Sequence, residues 1–124
     1  MKEGIIMLFE KKTPEEKMEK LVHKREWARL AEYVYGSRET KLALAQALAG
    51  SDDSSCIDIL LRLADAAIAS GEDDVMTATC ETLKKVGNDH VTADLREIML
   101  KLPKEKEALK EEISSTIQIL HKKP

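Results

Sequence analysis

Three histidines and two cysteines are the residues of this chain best suited to chemistry, and their spacing assembles no reactive group. A helix-borne metal site needs ligands three or four positions apart on one face. Among His23, His90 and His121, each near a predicted helix end, the pairing that comes nearest is His90 with Asp94. His90 follows Asn88 and Asp89 at a helix start, where solvated capping accounts for it. Cys56 and Cys80 fall on the apolar sides of different predicted helices, and neither has a histidine nearby in sequence to take its proton. Such cysteines read as buried free thiols of a reducing cytoplasm, since nothing resembles a CxxC pair. The expectation is a protein that is not an enzyme and carries no cofactor and no metal.

The elements that would position these residues are helices. Four of the five glycines stand directly before a residue suited to starting a helix: Gly36 before Ser37, Gly50 before Ser51, Gly71 before Glu72 and Gly87 before Asn88. Glycine closes a helix in the left-handed conformation, and Ser, Asp or Asn caps the next. Thr13, Pro14 and Glu16 form a capping box that opens a first helix to about His23. Met18, Leu21 and Val22 are out of phase with Trp27, Leu30, Ala31 and Val34, because five residues turn a helix face by about 140°. A break is therefore expected near Lys24, then a second helix to Tyr35. Further helices are expected over 38–49, 54–69, 73–86, 90–102 and 104–121. In the fourth, Ile57, Leu60, Leu61, Ala64 and Ile68 form a stripe that Ile59, Leu63 and Ala67 widen. The last carries a narrow stripe of Leu109, Ile113, Ile117 and Leu120, which suits an outermost helix.

At 124 residues the chain is long enough for one domain with a sizeable core. Aromatics are scarce (Phe9, Trp27, Tyr33, Tyr35), so Leu, Ile, Val, Ala and Met must fill that core, as in helix-on-helix packing. Trp27 repeats with Leu30, Ala31 and Val34 as a core residue does. A net charge of -3 with interspersed signs favours no polyanion, so no nucleic-acid partner is expected. Residues 1–12 read as an N-terminal arm ahead of a helical domain over 13–124. Its apolar burst, Ile5 to Phe9, is too short to span a bilayer or to act as a secretory signal, so no membrane contact and a cytoplasmic location are expected. That burst would cap the first repeat, or form a homo-oligomer through Ile5, Ile6, Leu8 and Phe9.

An internal repeat is visible. Shifting the third helix by 35 residues lays Gly36 on Gly71, Ala43 on Ala78 and Leu48 on Leu83, and shifting the fourth by 38 lays Ile57 on Leu95, Leu60 on Ile98 and Leu61 on Met99. The unit is a helix pair, which buries its apolar face only by stacking on copies of itself. The stretches SRETKLALAQALAG and EDDVMTATCETLKKVG resemble the HEAT-repeat family, particularly the short bacterial kind related to phycobilisome lyase repeats, whose second helix reads D-x-x-V-R-x-A-A-x-x-x-L-G. The resemblance covers roughly residues 26 to 121, although tetratricopeptide-like hairpins or a plain helical bundle give similar spacing. It implies an all-α right-handed superhelix, a short solenoid of about three antiparallel helix pairs. The family's arginine position holds Lys41 in one copy and Met76 in the other, so the usual Asp-to-Arg ladder is expected to be absent or weakened.

What the resemblance implies about function is a non-catalytic scaffold that binds another protein or peptide. Second helices of HEAT-like units line the concave face, where phase selects Lys41, Gln46, Thr77, Glu81, Lys84, Glu111 and Gln118. A tetrapyrrole-handling or metal-dependent accessory enzyme is the alternative. Bilin sites call for aromatic and basic groups around a cleft, and HEAT-like hydroxylases carry His-Glu pairs, whereas here each histidine precedes Lys or Val. The acids Asp52, Asp53, Asp58, Glu72, Asp73 and Asp74 gather at helix starts, where the backbone dipole favours them, so capping is preferred to an acidic docking edge.

Overall fold

Local hydrogen bonding sets the helix boundaries of the computed structural model, which describes residues 13–123. The expected arm, with Ile5, Ile6, Leu8 and Phe9, lies outside the described residues. The described chain is all-α: α1 (Pro14–His23), α2 (Trp27–Glu32), α3 (Arg38–Ala47), α4 (Ser54–Ser70), α5 (Asp73–Val86), α6 (Thr92–Leu100) and α7 (Glu107–His121), with 3-10 turns at Tyr33–Tyr35, Leu48–Gly50 and Asp89–Val91. Thr13 opens α1 with the capping box: the Glu16 N–H donates to its hydroxyl at 3.2 Å, and its own N–H donates to Glu16 Oε1 at 3.0 Å. Ser37 caps α3 through the Thr40 N–H, and Asp53 caps α4 through the Ser55 N–H. The last helix starts at Glu107 rather than Lys104, because the turn after Pro103 closes on itself through Lys106 N–H to Pro103 O.

The glycines do less than the sequence suggests. Among the described glycines only Gly71 is left-handed (φ 69°), where Glu72 N–H reaches Ala67 O and Gly71 N–H reaches Ile68 O, closing α4. The same double bond closes α1 on Arg25, a non-glycine residue at φ 59°: Glu26 N–H bonds Leu21 O and Arg25 N–H bonds Val22 O. A side chain there costs about 1 kcal/mol of backbone strain, and Arg25 sets against it an ion pair to Asp53 at 2.5 Å. Gly87 serves packing instead, since a Cβ would stand 2.7 Å from Leu83 O and 3.3 Å from a Leu120 methyl.

The helices pack in two rows. In one, α1 lies on α3, α3 on α5 and α5 on α7; in the other, α2 meets α4 and α4 meets α6, while α4 packs broadly on α5 and α6 on α7. The core between the rows holds Met18, Leu30, Leu44, Leu48, Leu60, Leu63, Met76, Leu83, Leu95, Ile113 and Leu120, all fully buried. In α4 the buried stripe is Cys56, Ile59, Leu60, Leu63, Ala64 and Ala67, whereas Ile57, Leu61 and Ile68 lie half-buried at its flanks. The expected stripe is thus turned about one position, because α4 faces α5 on one side and α2 and α6 on the others. Trp27 is partly exposed and packs against the core from its edge.

Ion pairs tie one helix pair to the next. Glu72 makes no cap at the start of α5 and instead accepts from Lys41 Nζ at 2.7 Å. Asp74 accepts from Arg38, and Asp73 takes Lys106 at 2.8 Å. Further along the row, Lys84 joins α5 to Glu112 of α7 at 2.8 Å, and in the other row Lys101 reaches Asp65. Lys123 donates to the carbonyls of Lys85 and Gly87, and His121 meets Asp89. One expectation is corrected: Lys41, expected on an exposed docking face, is only 6% exposed, and its amine is taken by Glu72. Of the acids that begin α5, Glu72 makes no cap, whereas Asp74 accepts from the Val75 N–H at 2.9 Å as well as from Arg38, and all three meet cations of other elements.

Two outcomes follow from this clamp. Replacing Lys41 with Ala strands the half-buried Glu72 carboxylate and lowers unfolding free energy in urea by about 1–3 kcal/mol, and a double-mutant cycle with Glu72→Gln gives a coupling clearly different from zero. Additive losses would exclude a direct pair. Asp74, chiefly through its hydrogen bond from Arg38, and Asp53, chiefly through the Ser55 N–H and then Arg25, are both held below the usual carboxylate pKa. A depressed carboxyl stabilises the fold above the unfolded value of about 3.9 and loses that contribution as pH falls through the folded value. The thermal midpoint therefore drops on acidification below about pH 4, and Asp74→Asn makes the drop shallower.

Candidate functional site

The nucleophile candidates are sealed in the core. Cys56 and Cys80 are free thiols with no exposed surface. Desolvation pushes both thiol pKa values up, that of Cys80 to about 11, against a smaller opposing effect of a hydrogen bond involving Thr116. A thiol with that pKa holds almost no thiolate at neutral pH and does not act as a nucleophile. Among the described residues no three His, Cys, Asp or Glu side chains converge as a metal-ligand group. His90 is exposed, and its backbone N–H donates to Asn88 Oδ1 at 2.9 Å, so the start of this turn is set by Asn88. No described helix is long and apolar enough to cross a membrane.

Surface residues on the α3, α5 and α7 row remain. Gln46, Thr77, Glu81, Glu111 and Gln118 are exposed, and Lys84 is half-buried between Glu81 (3.1 Å) and Glu112 (2.8 Å). Glu112, through its hydrogen bond, holds the Lys84 ammonium pKa above the usual lysine value. Thr77, Glu81 and Lys84 follow helical spacing along α5, as Glu111 and Gln118 do along α7, so each helix presents one polar stripe. Those helices adjoin. Lys41 is the member of the expected set that does not belong, because its stem is packed between α3 and α5 and its amine is spent on Glu72. Gln46 also lines a cleft of about 440 Å³ with Glu19, Val22 and His23 of α1.

A second region was not anticipated. At the corner between α1 and α2, Lys17, Lys20, Lys24 and Arg29 line a cleft of about 190 Å³ with Leu21 and Glu26. The sequence does carry a signal for it: five cations against two carboxylates between residues 17 and 29, in a chain that is acidic overall. Their clustering is visible only once α2 folds back beside α1.

Sealing of the thiols predicts that a disulfide reagent such as dithionitrobenzoate labels neither cysteine in the folded protein, and that labelling in urea follows the unfolding transition. Prompt labelling in buffer would show an accessible thiolate that this packing forbids. No protein-family model, curated protein or solved structure matches this chain.

Proposed function

We propose that this chain is a non-catalytic scaffold for another protein or peptide, built from HEAT-like helix pairs stacked as a short right-handed solenoid in the cytoplasm. One observation carries the stacking: the side-chain bonds between elements join residues 28 to 38 positions apart, about the length of one helix pair. Intervals of similar length support the reading that a unit of this size is repeated by translation. Repeats arranged this way spread one face of side chains over several helices, which suits an extended macromolecular ligand better than a small molecule. The docking face consists of Gln46, Thr77, Glu81, Lys84, Glu111 and Gln118, a mixed polar set that a protein surface or extended peptide can match by hydrogen bonds and paired charges.

Placement of a photo-reactive amino acid at Gln46, Thr77 or Gln118 tests the face in cells of the source. These positions give a crosslink to one common protein, and placement at Asp58 or Arg96, exposed on α4 and α6, does not. Equal yields at both sets of positions would reject the assigned face. Replacing Gln46 and Glu81 together with Ala weakens the captured complex while leaving stability within about 0.5 kcal/mol, as exposed positions do.

A further inference from the structure

Cations elsewhere in the fold bridge helices, as Arg38, Lys41, Lys84, Lys101 and Lys106 do. The corner between α1 and α2 is organised differently. Lys17 and Lys20 of α1 and Lys24, just past its end, follow one another at three and four positions along a single flank, and with Arg29 of α2 they line a cleft that also includes buried Leu21. A second cleft of about 380 Å³ shares Glu26 and Arg29 with the first and is lined by Arg25, Trp27 and Ala28. Among the described residues Lys24 has no carboxylate partner, and Lys17 is held over the Tyr33 ring at 4.9 Å. Arg29 reaches Glu26 at 3.5 Å, with both side chains open to water. Lysine stems and Trp27 surround a group of cations of which Lys24 meets no carboxylate among the described residues and Arg29 meets only the water-exposed Glu26.

We infer that this corner docks an acidic segment of a partner protein, its carboxylates meeting Lys17, Lys24 and Arg29 and an apolar side chain resting against Trp27. Tryptophan beside arginine is the composition of binding hot spots, where a flat apolar surface and a forked donor act together. Charge complementarity selects an acidic ligand. It selects a peptide over a nucleic acid because Glu26 stands within the cleft and Asp53, bonded to Arg25, at its rim. A continuous phosphate backbone would meet both carboxylates, whereas a peptide can set neutral residues there. The inference rests on the protein-binding role proposed above and names a class of partner for it, on a different surface from the α3, α5 and α7 face.

Trp27 is the only tryptophan of the chain, so its fluorescence reports directly on the corner. Titrating the full chain at low salt with a short peptide repeating Glu-Glu-Leu gives a saturable change in Trp27 emission that weakens as salt rises. The double variant Lys17→Glu with Lys24→Glu, both exposed positions, weakens binding by about tenfold or more. Lys104→Glu with Lys122→Glu, the same change in net charge elsewhere, alters it by less than about twofold. Gln46→Ala with Glu81→Ala leaves it unaltered, so failure of the opposite face and failure of this corner are told apart. An absent Trp27 response, or equal weakening by the two charge-reversal pairs, would overturn the inference. So would a response to inorganic phosphate as strong as to the peptide, which would mark a small-anion site. Flotation with phosphatidylserine vesicles that is lost in the Lys17→Glu, Lys24→Glu variant would also overturn it, assigning the corner to a membrane surface.

Discussion

Three carboxylates at the start of α5 hold that helix in register with the elements on either side of it. Lys41 and Arg38 reach them from α3, and Lys106 reaches them from the segment ahead of α7, so Glu72, Asp74 and Asp73 fasten α5 to both neighbours in its row. Helices whose contact faces are Leu and Ala can slide by a turn at modest cost, because one small apolar residue replaces another in the grooves. A charge that is mostly out of water cannot slide in that way, since leaving its partner exposes an uncompensated ion to the core. The exposed pairs add little energy individually. Lys41 and Glu72, with side chains only 7% and 19% exposed, are the ones whose mispairing is costly.

Close approach of the helices makes this clamp possible. Along α3 the buried residues include Ala43, Ala45 and Ala47, and the small side chains let α5 come near enough for the Thr82 hydroxyl to bond the Ala45 carbonyl at 2.7 Å. At that spacing Lys41 runs along the interface rather than away from it, burying its stem while its amine emerges at the start of α5. The other buried hydroxyls are satisfied by nearby carbonyls, Thr79 donating to Val75 O and Thr116 to Glu112 O, each at 2.8 Å, and Thr92 to Asp89 O at 2.9 Å. The interface is therefore polar in places without leaving donors unpaired, and among the described residues no buried side-chain nitrogen or oxygen lacks a partner.

What was legible in the sequence follows the range of the interactions involved. The capping box at Thr13, the break after Lys24 and the seven helical runs depend on residues within one turn of each other, and local spacing reveals them. The role of Lys41 depends on Glu72, 31 residues away, and a lysine on an amphipathic helix reads as solvent-facing until its neighbour is placed. The same limit applies to the acids of α5, which read as helix-start groups locally and whose cations Arg38, Lys41 and Lys106 lie on other elements. Glycine misled for another reason. Gly36 and Gly87 follow helices in extended backbone, while the second left-handed closure falls on Arg25, which no rule of residue preference would select. The offset of the α4 stripe arises because a helix flanked by several neighbours buries more than one arc, leaving periodicity alone without a unique centre.

Once the internal cross-links are set aside, the distribution of charge becomes informative. The net charge of -3 suggests a surface with no attraction for anions, yet the charges are unevenly placed: Asp53, Asp65, Glu72, Asp73, Asp74 and Glu112 each answer one cation from another element. Those cations come from α3 onward or from the elbow at Arg25, and none comes from Lys17 or Lys24. A net count therefore hides a local field, because charges neutralised at contact distance contribute little beyond a Debye length of about 8 Å. The field around the molecule is set by where its charged groups gather, and at the corner of α1 and α2 Lys17, Lys24 and Arg29 stand close together. Cross-links that take up one acid for each base leave the net charge unchanged, so it is the placement of Lys17, Lys24 and Arg29 side by side that gives an acidic protein a basic corner.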